Sequence, residues 1–121
     1  MKRFLGGLFV GLLVPGLCLA AQHLASEKVV QPQVLVDNQK VTIVRWVLKP
    51  GEGTPVHTHK LDHVSVVVRG STLKDVEASS GAAKESVQKA GNAVYVPGTG
   101  RTHSFSNVGK TTFVSISIEL K

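Results

Sequence analysis

Beyond residue 20, apolar and polar residues change over at short intervals and never settle into a sustained 3.6-residue rhythm. The C-terminal run is the clearest case. Val114, Ile116, Ile118 and Leu120 alternate with Ser115, Ser117 and Glu119, and a two-residue period is that of a strand. Residues 34–36, 41–48, 64–69, 93–96 and 103–108 predict further strands on the same grounds. The stretch 79–90 comes nearest to a helical period, but its apolar content is mostly alanine. Breakers separate the strands, among them Asp37-Asn38, Pro50-Gly51-Glu52-Gly53, Gly91-Asn92 and Pro97-Gly98. Short strands at this spacing predict an all-β sandwich or barrel.

The first twenty residues follow a different pattern. Lys2 and Arg3 precede an apolar run from Phe4 to Leu19, which ends in the small residues Ala20 and Ala21. A basic start, an apolar stretch and a small-residue exit predict a secretory signal peptide over 1–20, cleaved after Ala20 or Ala21. A membrane span is disfavoured, because one needs roughly 20 apolar residues and Gly6, Gly7, Gly11, Pro15 and Gly16 interrupt this run. Residues 21–28 then read as an N-terminal arm and 29–121 as one β-barrel domain. No repeat or linker divides it. Export to a Gram-negative periplasm is the expected destination, with an extracellular fate as the alternative.

Composition sharpens the picture in three ways. Eighteen valines but only four aromatics (Trp46, Tyr95, Phe105 and Phe113) follow residue 20, a balance that suits a pleated surface. The single cysteine of the chain, Cys18, lies inside the signal segment. The mature protein then has no disulfide, no cysteine nucleophile, no iron–sulfur cluster and no cysteine zinc site. Of the formal charge of +6, two units belong to Lys2 and Arg3, which leaves 6 − 2 = +4. That charge is scattered, without the basic stripe that nucleic-acid binding requires. No Gly-x-Ser-x-Gly elbow is present, so a hydrolase triad has no support.

Chemistry concentrates in histidines. His23 lies in the arm; His57, His59, His63 and His103 lie in the barrel segment. His57 and His59 are two apart, so on an extended segment both rings face the same way. Several neutral imidazoles make a good site for a divalent ion of the manganese-to-zinc series. A His-x-His pair on its own is more often an incidental feature of a surface loop.

The flanking residues change that balance. Gly51, five residues, His57-Thr58-His59, three residues, His63, six residues and Gly70 resemble the first motif of the cupin family, with His63 standing where the motif has Glu. Gly91, five residues, Pro97, then Gly100, two residues, His103, three residues and Asn107 resemble the second. The turn Pro97-Gly98-Thr99-Gly100 is one residue longer than the motif's Pro-x-Gly. The twenty residues 71–90 between the motifs are similar to the short inter-motif hairpin of bacterial members. The resemblance covers most of 40–120 and implies a double-stranded β-helix, or jelly-roll, barrel.

It also implies a metal site made of His57, His59, His63 and His103. Asp62 is the nearby carboxylate, but beside His63 on a strand it faces the other way. Four neutral imidazoles would leave the ion its full +2 charge, favour an anionic small-molecule ligand and supply no carboxylate base. Iron, manganese, copper, nickel and zinc all suit such donors, and the order of intrinsic affinity favours copper and zinc. Arg101 and Arg45 are candidates to meet an anionic ligand at the barrel mouth; Tyr95 and Phe105 are candidates to line it. Asn107 reads as a residue that ties down a turn. Cupins often pair as dimers, and the apolar 29–36 segment is the expected contact.

Three functions fit. The first is a metal-dependent enzyme of the dioxygenase type acting on a small organic substrate. The second is a non-redox cupin, an isomerase or a small-ligand module. The third is an exported metal-binding protein without catalysis. The fold does not choose among them.

Overall fold

The structure, a computed structural model, describes residues 28–121. The predicted signal segment 1–20 with its predicted cleavage site, His23 and all of the expected 21–28 arm except Lys28 lie outside the described residues. Eleven strands and no helix make up the described chain.

One sheet contains β1 (Lys28–Val29), β4 (Glu52–Gly53), β10 (Arg101–Asn107), β7 (Ser71–Glu77) and β8 (Ala83–Gln88), in that order, with β5 (His57–His59) also paired to β10. The other runs β2 (Gln33–Asp37), β3 (Val41–Leu48), β11 (Phe113–Leu120), β6 (His63–Arg69) and β9 (Ala93–Val96). All pairings are antiparallel except that of β1 with β4. The two sheets form the expected all-β, double-stranded β-helix barrel.

The valine-rich runs form strands, two of them, β3 and β9, with the boundaries the pattern predicts. The 71–90 segment forms the β7–β8 hairpin, closed by a turn at Gly81, whose φ of +68° suits glycine. Any helical tendency of 79–90 loses to pairing with β7, since a strand edge offers every backbone group a partner. The short strands β1, β4 and β5 are not apparent from the pattern; β4 even lies within a predicted breaker.

The face that turns inward is unexpected. On β11 the serine row faces the interior: Ser115 is 3% exposed, and both it and Ser117 line the central cavity. Ile116 and Ile118 stand on the outer side of the sheet. Apolar packing inside is confined to Leu48, Val67, Leu73 and Phe113, with Val30 and Phe105 against them. Leu48 and Phe113 sit opposite each other in register, so this core fills one end of the barrel and leaves the other polar and hollow.

Asn107 locks the core end. It is 1% exposed. Its amide donates to the carbonyls of Leu48 (2.8 Å) and Thr111 (2.7 Å), while Oδ1 accepts from Ser71 Oγ (2.7 Å) and the Gly109 amide (3.0 Å). Alanine here would strand several buried polar groups, each worth about 1–3 kcal/mol. Asn107→Ala is therefore expected to destabilise the fold by about 3 kcal/mol or more, read by urea denaturation; a change under about 1 kcal/mol would contradict this account.

Candidate metal centre

Strand pairing assembles the site. β5 lies antiparallel to the start of β10, with His57 opposite His103 and His59 opposite Arg101. The long turn before β10 is fastened to the same segment: the Gly100 amide donates to the His59 carbonyl (2.9 Å) and the Gly98 amide to Asp62 Oδ1 (2.8 Å). Gly98 has no room for a side chain, since a Cβ there would lie 2.6 Å from the Lys60 carbonyl oxygen. The extra residue in this turn thus serves a clamp that holds the two motifs together.

Three imidazoles converge. His59 Nε2 lies 3.1 Å from His57 Nε2 and 2.9 Å from His103 Nε2, and among the described residues these three form a group with all ligand atoms within 4.8 Å of one another. Their other nitrogens determine the tautomers. His57 Nδ1 donates to the Pro55 carbonyl (2.9 Å), and His103 Nδ1 donates to the Asp75 carboxylate (3.0 and 3.1 Å). With a single proton, on Nδ1, each of these rings presents an Nε2 lone pair to His59. A proton on His59 Nε2 can serve only one of them, so one close nitrogen pair remains lone pair against lone pair.

A shared cation resolves this conflict. Two imidazole nitrogens bound at about 2.1 Å and at right angles around one ion stand about 3.0 Å apart, which matches the separations found. The carboxylate behind His103 is the usual outer partner of a ligating histidine. The donor set fits a divalent transition metal.

His63, the fourth histidine, is placed beside this group. It opens β6 on the facing sheet, and its ring stacks on that of His59 with centroids 4.2 Å apart and planes 21° from parallel. Its Nδ1 is buried without a hydrogen-bond partner among the described residues. A buried orphan nitrogen next to three converging ones is a donor atom still available to a ligand.

Burial lowers the proton affinity of His57, His59 and His63, and that of His59 falls to about 4, with the neighbouring histidines adding to the effect of burial. An unfolded histidine titrates near 6.5, so as the solution is acidified the unfolded chain takes up protons first. The stability contributed by keeping His59 neutral is complete above about pH 6.5 and is lost progressively towards pH 4. In chelator-treated protein the thermal midpoint is expected to fall across that window, and less steeply in a His59→Gln variant. A midpoint that is flat from pH 7 to 4.5 would be inconsistent with these buried rings.

Asp75 belongs to the site although nothing in the motifs singles it out. Burial works to raise its pKa, but hydrogen bonds from His103 and Arg101 outweigh it and hold the carboxyl below its usual range. Arg101 is bound to Asp75 (2.8 Å) and to Glu77 (2.6 Å). A signal exists in the alternation of β7, which places Asp75 and Glu77 on one face, but only the pairing of β7 with β10 brings that face to His103.

Two cavities meet at the histidines. One, of about 320 Å³, is lined by His57, His59, His63, His103, Trp46, Phe105, Arg101, Asp75 and the serines Ser65, Ser115 and Ser117, among others. The second, of about 260 Å³, shares Trp46, His57, His59, His63 and Ser117 with the first and reaches Gln31, Pro32 and Glu119. Of the expected mouth residues, Phe105 and Arg101 line the larger cavity. Arg45 and Tyr95 line neither: Arg45 bonds Gln33 (2.7 Å) on the outside of the barrel, and Tyr95, 58% exposed, donates to Asp62. Both alternate with inward-facing neighbours, Arg45 with Val44 and Trp46, Tyr95 with Val94 and Val96.

A β-barrel of two facing sheets with clustered histidines between them is the cupin architecture, and the chain has that fold. It is similar to a cupin domain from Bordetella pertussis Tohama I, with a TM-score of 0.71 and 28% identity, over 78% of this chain and 96% of that one. An RmlC-like cupin family protein with a double-stranded β-helix fold, from Methanocaldococcus jannaschii, superposes with a TM-score of 0.61 at 20% identity, over 74% and 78%. A polyketide cyclase from Streptomyces resistomycificus gives 0.57 at 22% identity, over 74% and 63%. No family profile and no curated protein matches the sequence.

Proposed function

We propose that this protein is a metal-dependent enzyme of the oxygenase type, acting on a small organic molecule in the 320 Å³ cavity. One observation carries the reading: three imidazole nitrogens converge in the wall of the larger cavity, and two of the rings, His57 and His59, also line the second. A structural metal site is closed by four protein donors, whereas a catalytic one keeps a position open. Here three donors converge, the fourth histidine stands aside, and open space adjoins the cluster.

His57, His59 and His103 would hold the ion, with His63 as the further donor. Bound there, the metal supplies Lewis acidity and, as iron, manganese, copper or nickel, redox chemistry. The protein's own contribution is placement. Trp46 and Phe105 offer a ligand aromatic walls, and Ser65, Ser115 and Ser117 offer hydroxyls. Arg101 is occupied by two carboxylates, so attraction of an anionic substrate rests on the metal and not on a free cation at the mouth. Asp75 is engaged with His103 and Arg101, whereas Glu119, opposite His63 on the inward face of β11, lines the second cavity beside the histidines. We assign the reaction to the periplasm on the strength of the 1–20 segment.

Metal analysis of protein purified without chelator or affinity tag tests the reading. One equivalent of iron, manganese, copper or nickel is expected, followed by oxygen uptake with some member of a panel of small chelating molecules such as catechol. Stoichiometric zinc would move the assignment to non-redox chemistry. Absence of metal, with none taken up on titration, would overturn the metal centre itself.

A further inference from the structure

The second cavity holds a carboxylate that the metal centre does not use. Glu119 sits between Thr42 on β3 and His63 on β6, in register with both. With Ser115 and Ser117 it belongs to the inward row of β11, and it lines the cavity of about 260 Å³ beside the histidines. Among the described residues it forms no ion pair. Lys121, two positions along the chain, is the obvious partner, but its ammonium is held by Asp37 (2.6 Å) and the Asn38 carbonyl (2.9 Å).

Nothing else in the lining balances that charge. The cavity wall contains no lysine or arginine among the described residues. A carboxylate only accepts hydrogen bonds, so a ligand group that meets Glu119 must donate one. Trp46 forms another part of the wall, and an indole face attracts a cation placed within about 6 Å of it. A half-buried charge without a partner is unfavourable, and a ligand cation relieves it. A second anionic group on the ligand would instead be set against the carboxylate.

We propose that this cavity takes the protonated amine of the substrate, with Glu119 as its counter-charge and Trp46 as the wall beside it. The placement of the ligand's other end rests on the metal-centre reading: the ion attracts an anionic group, and the second cavity shares His57, His59 and His63 with the first. The substrate class is then a small zwitterionic chelator, with a metal-binding anionic group at one end and an ammonium at the other. Glu119 selects against ligands that are anionic at both ends. The cavity's size, just below the roughly 300–1,000 Å³ of whole ligand sites, suits one short aminoalkyl arm.

Three probes with one catechol head test the tail separately from the metal: dopamine, neutral 4-ethylcatechol and anionic 3,4-dihydroxyphenylpropionate. Each is titrated calorimetrically under nitrogen into the purified protein, with metal content measured on the same sample. Dopamine is expected to bind at least about 10-fold more tightly than 4-ethylcatechol, the scale of a charge-assisted hydrogen bond. The propionate is expected to bind most weakly. In Glu119→Gln, which keeps the shape of the side chain, the preference for dopamine should fall below about 3-fold. Should that variant fail to fold, Glu119→Ser, the residue already present at two inward positions of β11, replaces it. Dopamine that fails to bind, or binds no more tightly than 4-ethylcatechol, would overturn the proposal. So would a preference that survives in the folded Glu119 variant. A Glu119-dependent preference in protein that takes up no metal would support the amine site while removing the metal centre. Metal-loaded protein indifferent to the amine would do the reverse.

Discussion

Replacing His59 by alanine is expected to lower metal affinity by more than about 100-fold, beyond the 10–100-fold typical of outer-sphere changes, and to abolish any metal-dependent turnover. His59 is the middle member of the cluster: its Nε2 stands 3.1 Å from one neighbour and 2.9 Å from the other. His57 and His103 are held in place by Pro55 and Asp75 regardless of His59, so the loss should fall on the ion and spare the scaffold. Competition titration against a chromophoric chelator measures the affinity, and the far-UV spectrum checks the fold. His63→Ala should cost less, because that ring stacks on His59 outside the converging group. Equal losses in the two variants would show that the bound ion draws His63 fully into its sphere. Unchanged affinity in His59→Ala would remove the basis of the metal centre.

Asp75→Asn is expected to cost metal affinity about 10–100-fold while leaving all four histidines in place. The carboxylate accepts only, and so fixes the proton of His103 on Nδ1 and the lone pair on Nε2. An asparagine can turn its NH₂ towards the ring and favour the opposite tautomer, which points a hydrogen at the metal position. Imidazole ¹⁵N shifts of His103 should report this change directly, a readout that general loosening of the site would not produce. The substitution also removes one of the two carboxylates on Arg101. Arg101→Met separates the effects: it is expected to leave the His103 tautomer unchanged and affinity within a few-fold of wild type. If Asp75→Asn binds metal as the wild type does, the carboxylate has no part in positioning His103.

Part of the site is legible in the residues alone. Spacing marks His57 and His59 as a pair, and the match of both motifs ties them to His103, 44 positions along the chain from His59. The pairing of β5 with β10 brings these residues together as the resemblance implies. Less legible is the inequality among the four histidines. His63 belongs to the other sheet, and whether its ring converges or stacks depends on side-chain packing between sheets, which no local pattern encodes. Asp75 is hidden for a related reason. An aspartate on a hairpin strand reads as a solvent-facing charge until the strand on its far side is known.

Chain pattern alone determined that this protein is built of short strands, because a two-residue alternation of branched apolar and polar side chains is stable only on a pleated sheet. It also determined the family-like spacing of the histidines. What tertiary structure decided is the direction each strand faces. Period-two alternation states that Ser115, Ser117 and Glu119 share one side of β11 and Val114, Ile116, Ile118 and Leu120 the other, and it is symmetric between inside and outside. The interior received the serines because this barrel encloses a polar cavity around a histidine cluster. The isoleucines were left on the outer side of the sheet.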